Sequence, residues 1–182
     1  MKRSRPRSRR GFSLIEATVS LLLVAGLLVS ALHVAGAAAL TRGRAEARSR
    51  GVALAEELLS EALGVAYDDP QDGPVAGPST GWSGPGWGPE PGEASGPGRA
   101  GFDDADDYDG WVGGPPRGRD GTPIEGAGDY RRTAVVRHVD DADPSREVAH
   151  DEGLKRVVVS VSFRGRPVAE AVGLASRAGG AR

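Results

Sequence analysis

The sequence contains no cysteine. Without thiols the chain can form neither a disulfide framework nor a thiolate metal site, and it has no cysteine nucleophile. It has only three histidines, His33, His138 and His150, and they are scattered along the chain. Its serines lie in none of the motifs that mark a catalytic nucleophile. We therefore predict that the protein is not an enzyme.

Regular secondary structure is restricted by 28 glycines and 13 prolines among the 182 residues. Many of them fall in residues 65–128, which we interpret as a Gly/Pro-rich and acidic loop region. Trp82, Trp87 and Trp111 are the only tryptophans, and all lie in this region. Two interpretations remain open for residues 71–100: the segment docks on the core through these rings, or it is a disordered stalk.

Positive charge is concentrated at the start of the chain. Residues 1–11 hold six of the 23 basic residues and no acid, so the rest keeps 17 basic against 25 acidic residues, a formal charge of −8. An acidic protein of this kind is a poor ligand for nucleic acid, and we predict no such partner. A basic run directly before an apolar segment is typical of a membrane orientation signal.

The longest apolar segment is residues 12–40, which contain one formal charge, Glu16, and no proline. A membrane core needs about 20 apolar residues in helical form, so this segment is predicted to be a transmembrane helix. The rest of the chain has too little apolar surface to surround it. Lipid or other subunits must therefore cover it.

The helix is predicted to continue through residues 41–64 as an amphipathic segment with its acids outward. Gly43 and Gly51 each weaken a helix by about 1 kcal/mol relative to alanine, which makes this stretch a candidate kink. Spacings of three and four place five apolar residues on one stripe: Val52, Ala55, Leu58, Leu59 and Ala62.

Residues 129–176 are predicted to form a small antiparallel sheet. From Val157 to Phe163 apolar and polar residues alternate, so one face is buried. The Gly165-Arg166 step suits a tight reversal between the last two strands. The predicted strands are 130–139, 155–164 and 167–176, followed by a tail at 177–182. A three-stranded sheet needs a cover, and the amphipathic helix supplies it, which gives an α+β fold.

The most informative string is RRGFSLIE at residues 9–16. It resembles the class III signal of type IV pilins and type II secretion pseudopilins, in which a basic leader ends in Gly and is followed by Phe and, at the fifth mature position, Glu. The resemblance implies a pilin-like fold and cleavage between Gly11 and Phe12 on the cytoplasmic side. It also implies that the same peptidase methylates the new amine of Phe12.

Glu16 needs a physical reason to stand in an apolar helix, because a carboxylate there costs on the order of 3 kcal/mol on insertion scales. Cleavage before Phe12 would create a positive amine close by, and a helix N-terminus already favours negative charge. Methylation leaves that charge in place. We predict that Glu16 meets this amine on its own chain or on a neighbour, which would set the axial register of a filament.

The resemblance implies a minor structural subunit of a type II secretion pseudopilus or a type IV pilus-like filament. The implied partners are the prepilin peptidase/methyltransferase, other pseudopilins or pilins, an inner-membrane assembly platform and membrane lipid. The implied location is the cytoplasmic (inner) membrane, with one span and an extracytoplasmic C-terminal domain. Residues 52–61 resemble the outer helix segment of I-type minor pseudopilins or PilV-like minor pilins.

Two alternatives use the same residues. Residues 8–12 resemble a twin-arginine export signal and residues 35–37 an A-x-A cleavage site, which would make the protein an exported soluble binding module. Against this, Ser13 replaces the usual leucine and Glu16 interrupts the start of the apolar region. The other alternative is a single-pass membrane protein that does not polymerise.

An acidic cluster follows the Gly/Pro-rich segment. Clustered carboxylates repel one another unless protons, arginines or a hard cation intervene, and calcium is the natural cation for them. The spacing differs from that of an EF-hand. The candidate calcium ligands, the only cofactor site we predict, are Asp103, Asp104, Asp106, Asp107 and Asp109. The alternative is a solvated turn, or one paired with Arg117, Arg119 or Arg131.

Overall fold

The computed structural model describes residues 13–70, 87–89, 92–93 and 98–177. It confirms the predicted α+β class, with one long N-terminal helix and an antiparallel sheet in the order β1-β2-β3-β4. The elements are α1 (Leu14–Leu63), β1 (Val112–Gly113), β2 (Tyr130–His138), β3 (Leu154–Phe163) and β4 (Arg166–Ser176), with a short 3₁₀ helix at Asp106–Tyr108. The chain divides into two compact units at Ala45/Glu46.

The first unit consists, in its described part, of α1 up to Ala45. Every residue of α1 from Leu14 to Glu46 is exposed, including leucines such as Leu14 and Leu32 that are 85% and 73% exposed. The helix is long and apolar enough to cross a membrane. A helix that is apolar on all sides needs an apolar environment all round it, as the sequence predicted.

In the second unit, the last part of α1 packs on the sheet. Its buried residues are Ala47, Gly51, Leu54, Ala55, Leu58 and Ala62. The predicted stripe was therefore wrong at Val52, which is 38% exposed. Gly51 takes the buried position, and α1 continues as a helix through both Gly43 and Gly51. A glycine that the sequence marks as a weak point is thus a contact point with the sheet.

The sheet contains the three predicted strands and places one face against α1. Val157, Val159 and Val161 of β3 are buried, as are Ala134 and Val136 on β2. The register pairs Ala134 with Val159 and Val136 with Val157, so these side chains form one apolar layer. Side chains on one face of a sheet alternate with those on the other, which explains why the sequence pattern located β3 correctly.

The reversal between β3 and β4 lies one residue earlier than predicted. It uses Arg164 and Gly165, whose φ angles are +49° and +76°, instead of Gly165 and Arg166. A two-residue hairpin of this kind requires a positive φ at both central positions, which glycine adopts freely and arginine rarely.

The loop region folds back on the second unit where the structure describes it. Phe102 and Tyr108 are buried in the core, and Trp87 and Trp111 pack against it. Docking through tryptophan is thereby confirmed for these two rings, while Trp82 and most of residues 71–97 lie outside the described part of the chain. The two-residue strand β1 was not predicted.

Candidate functional site

The start of α1 contains the predicted assembly residue. Gly11 and Phe12 lie outside the described residues. The carbonyl of Ser13 accepts hydrogen bonds from the N–H groups of Glu16 (3.0 Å) and Ala17 (3.1 Å). Ser13 therefore occupies the N-cap position and Glu16 lies in the first turn, where the helix N-terminus carries a partial positive charge.

Other polar side chains in the apolar part of α1 bond to their own helix. Hydroxyls at Thr18, Ser30 and Thr41 donate to carbonyls three or four residues earlier, each at 2.9 Å. His33 Nδ1 lies 3.0 Å from the Val29 carbonyl. Such bonds keep a hydroxyl or imidazole satisfied in an apolar environment.

Glu16 cannot use this solution, because an ionised carboxylate only accepts hydrogen bonds. The N–H groups beyond the first turn of a helix already donate to helix carbonyls. The charge of Glu16 therefore needs a donor from the helix start, from solvent or from another molecule.

The five aspartates of the acidic cluster do not converge on one position. Asp106 pairs with Lys155, and Asp109 accepts bonds from Arg137 (2.6 Å) and from Trp87 Nε1 (3.1 Å). Backbone N–H groups occupy two others: Asp104 Oδ1 accepts from residues 106 and 107, and Asp107 Oδ2 accepts from residues 103 and 104. Lys155 and Arg137 are thus the cations that pair with Asp106 and Asp109, while Arg119 donates to the Phe102 carbonyl at the start of the loop.

A smaller carboxylate group remains as a possible cation position. Glu93, Asp103 and Asp107 bring one oxygen each to within 4.8 Å of one another. Glu93 precedes the cluster by ten residues, and no spacing rule connects it to the others. Calcium binding at the acidic cluster stays a prediction, and Asp103 and Asp107 are the two predicted ligands that this group contains. A second group with the same spacing lies outside the cluster, at Asp140, Asp141 and Glu152.

Burial changes the protonation of this loop. It raises the pKa of Asp104 to about 8, with a further contribution from the neighbouring charge of Asp106. It also raises the pKa of Asp107 to about 6, against the opposing effect of two backbone N–H groups. Burial therefore favours the protonated form of Asp104, which reduces the repulsion between carboxylates that the sequence suggested.

Lys155 lies inside the second unit, at the start of β3. Its side chain is 3% exposed, and its Nζ contacts Asp106 Oδ1 and donates to the Tyr67 carbonyl (2.5 Å). The rings of Tyr67 and Trp87 lie with their centroids 4.5 and 5.3 Å from Nζ. The sequence signal was available, because the alternation of β3 puts Lys155 on the buried face with Val157.

His138 lies next to this cluster, at the end of β2. Its side chain is 3% exposed and its ring centroid is 4.7 Å from that of Trp87. Neither ring nitrogen has a hydrogen-bond partner among the described residues, although Nδ1 is 3.7 Å from Asp151 Oδ1. Burial lowers the pKa of His138, so the neutral imidazole is favoured.

A second buried ionic cluster joins the loop to α1. Arg99, which is 1% exposed, donates two hydrogen bonds of 2.8 Å to Glu61, and the Tyr108 hydroxyl donates a third at 2.9 Å. The Trp111 ring lies 4.5 Å from the Arg99 guanidinium. The prediction that the acids of this helix segment point outward is therefore wrong for Glu61. Its partner lies 38 residues away, in a segment whose pattern predicted only loop.

Comparisons with protein-family models, with curated proteins and with solved structures find no match for this chain.

Proposed function

We propose that the protein is a pilin-like minor structural subunit of a type II secretion pseudopilus or a type IV pilus-like filament. One observation supports this proposal above the others. Glu16 is the only acid in the apolar residues 12–40, it lies in the first turn of α1, whose residues 14–46 are all exposed, and it is the fifth residue counted from Phe12.

Processing would supply the missing counter-charge. Cleavage after Gly11 by a prepilin peptidase exposes the amine of Phe12, and methylation keeps its charge. The amine can bind Glu16 of its own chain while the subunit is in lipid. In a filament it can bind Glu16 of a neighbouring subunit, which fixes the axial position of each subunit.

The two units suit two roles in such an assembly. The exposed apolar part of α1 would lie in the inner membrane before assembly and among other pilin-like subunits after it. The second unit would lie outside the cytoplasm and present its surface there. The peptidase, the assembly platform and the other subunits are the partners that this proposal requires, and the protein has a structural role in it, not an enzymatic one.

The experiment is mass spectrometry of the native N-terminus, on protein purified from membranes of a cell that has a prepilin peptidase. We expect the mature chain to begin at N-methylated Phe12. A chain that begins shortly after residues 35–37 would instead identify an exported soluble protein. A chain that keeps its basic leader would identify a single-pass anchor. Either of these results overturns the proposal.

A further inference from the structure

Lys155 and Asp106 form a direct ion pair inside the second unit. Lys155 is the second residue of β3 and Asp106 the first of the 3₁₀ helix, and their side chains are 3% and 4% exposed. Nζ contacts Oδ1 directly, and a bond to the Tyr67 carbonyl fixes the amine. We propose that the two side chains condense to an intramolecular amide bond between Lys155 Nζ and Asp106 Cγ.

The amino-acid choice at this position supports the proposal. The chain has only two lysines, Lys2 and Lys155, among 23 basic residues, and Lys2 lies in the basic leader. Arginine is generally the preferred cation for a buried ion pair, because its planar fork binds carboxylates with two hydrogen bonds. Among the residues that the structure describes, the other fully buried guanidinium or ammonium groups belong to arginines, Arg99 and Arg132. Lysine is the residue whose amine can form an amide.

The reaction requires the neutral forms of both groups, an amine and a carboxylic acid. Taking an ammonium and a carboxylate out of water is costly, whereas a neutral amine and a carboxylic acid need much less solvation. Transfer of one proton along the Nζ–Oδ1 contact gives this neutral pair. Two groups held together in this way react as if at about 10⁵ to 10⁸ M, which offsets the tendency of free acids and amines to remain uncondensed in water.

The condensation needs no further reagent. The amine lone pair attacks Cγ, so the Nζ–Cγ bond forms and the carbonyl electrons move to oxygen. A proton then passes from nitrogen to the hydroxyl oxygen, the Cγ–O bond breaks and one water molecule leaves. Asp104 is close enough to interact electrostatically with both residues, and its carboxyl group can relay this proton. The rings of Tyr67 and Trp87 beside Nζ keep out the water that would reverse the reaction.

The bond would link two segments that are 49 residues apart in sequence. A chain without cysteine has no disulfide with which to fasten a Gly/Pro-rich loop to a sheet. An amide between the loop and β3 does the same work, and it is stable to reduction.

Peptide mapping of the full-length protein tests the proposal. The purified protein is denatured, digested with trypsin and examined by tandem mass spectrometry. Trypsin does not cut after an acylated lysine, so we expect one branched peptide in which residues 100–117 are joined to residues 147–156, with the mass of one water lost. Denatured protein should also resist amine-reactive labelling at Lys155. Separate peptides 100–117 and 147–155 at full mass overturn the proposal, as does an unbranched 100–117 that has lost water through succinimide formation.

Two variants sharpen the result. In Lys155→Arg the branched peptide must be absent. In Asp106→Asn the same amide forms with loss of ammonia instead of water, so its branched peptide must have the same mass as that of the wild type. If Asp106→Asn yields only the two linear peptides while the wild type is branched, the link is elsewhere and the assignment to Asp106 is wrong.

Discussion

Gly51 of α1 lies against Val168 of β4 so closely that a β-carbon on Gly51 would be 2.7 Å from Val168 Cγ2. The same added atom would be 3.4 Å from the Ala169 β-carbon. Helix and sheet therefore approach so closely here that a β-carbon would have to displace the Val168 side chain.

Gly51→Ala is expected to lower the free energy of unfolding of the second unit by about 1 kcal/mol. Overpacking costs about 1–3 kcal/mol, and the better helix propensity of alanine recovers part of it. Thermal unfolding of purified protein in detergent measures the change. Gly43→Ala is the matched control, since nothing lies within 4 Å of its added carbon. Equal melting temperatures for the two variants would contradict the close approach.

Arg99 is expected to stabilise the protein only as the partner of Glu61. Arg99→Met leaves a carboxylate buried without its cation, which should lower the free energy of unfolding by about 3–5 kcal/mol. The double variant Arg99→Met/Glu61→Leu should recover much of that loss, and chemical denaturation measures both. Asp129→Asn breaks an exposed ion pair with Arg164 and should change stability by less than about 1 kcal/mol. If the double variant is as unstable as Arg99→Met alone, the loss of stability does not come from the unpaired charge of Glu61, and the prediction is wrong.

Asp104 should make the folded state less stable as the pH rises. Its pKa is raised from an unfolded value near 4 to about 8, so between these values the folded state binds more protons than the unfolded state. The free energy of unfolding must then fall with rising pH, by up to about 1.4 kcal/mol per unit from this group.

Asp104→Asn keeps an oxygen for the N–H groups of residues 106 and 107 but cannot ionise. We expect it to gain stability over the wild type as the pH is raised from about 4 to about 8. Urea unfolding in EDTA, which excludes calcium, measures this difference. His138 acts in the opposite sense, since its lowered pKa reduces stability as the pH falls, but it contributes equally to both proteins and cancels. A constant difference between the two proteins would exclude the shifted pKa.

Glu16→Gln separates two roles of this residue, a hydrogen bond at the start of α1 and an ion pair with the amine of Phe12. Glutamine at the third position of a helix can still bond back to the N-cap, so it keeps the helix start, but it cannot pair with an amine. Under the proposed function, Glu16→Gln should be cleaved and methylated normally yet be strongly reduced in filaments. Quantitative immunoblotting of sheared filaments against the membrane fraction measures this. Glu56→Gln, at an exposed position of α1, is the control and should assemble like the wild type.

The sequence predicted those parts of the fold that depend on neighbouring residues, and it misjudged a part that depends on contacts between distant segments. β3 was predicted from the alternation of apolar and polar residues, and the start of α1 from its unbroken apolar run. Both patterns are local in the sequence. The face of α1 was misjudged at Val52, since only the sheet shows that Gly51 packs against Val168 of β4.

The candidate site was less accessible to sequence reasoning. Glu16 could be identified, because an acid in an apolar run stands out locally. The partners of Glu61 and of the acidic cluster could not, because Arg99, Lys155 and Arg137 are 28 to 49 residues distant from the acids they bind. Patterns within one segment contain no information about such pairs. A loop that forms buried salt bridges and a loop that is exposed to water can therefore have the same kind of sequence.

Residues 98–111 are bound to three separate elements: Arg99 to α1, Asp106 to β3, and Asp109 to β2. Release of the Arg99 or the Asp106 bond alone leaves a buried charge without its partner, and only the Asp109 bond is partly exposed to water. The backbone of this segment should therefore exchange its amide hydrogens as slowly as the strands do, through global opening and not through local fraying. A segment whose composition is typical of a flexible linker would then open only when the sheet opens.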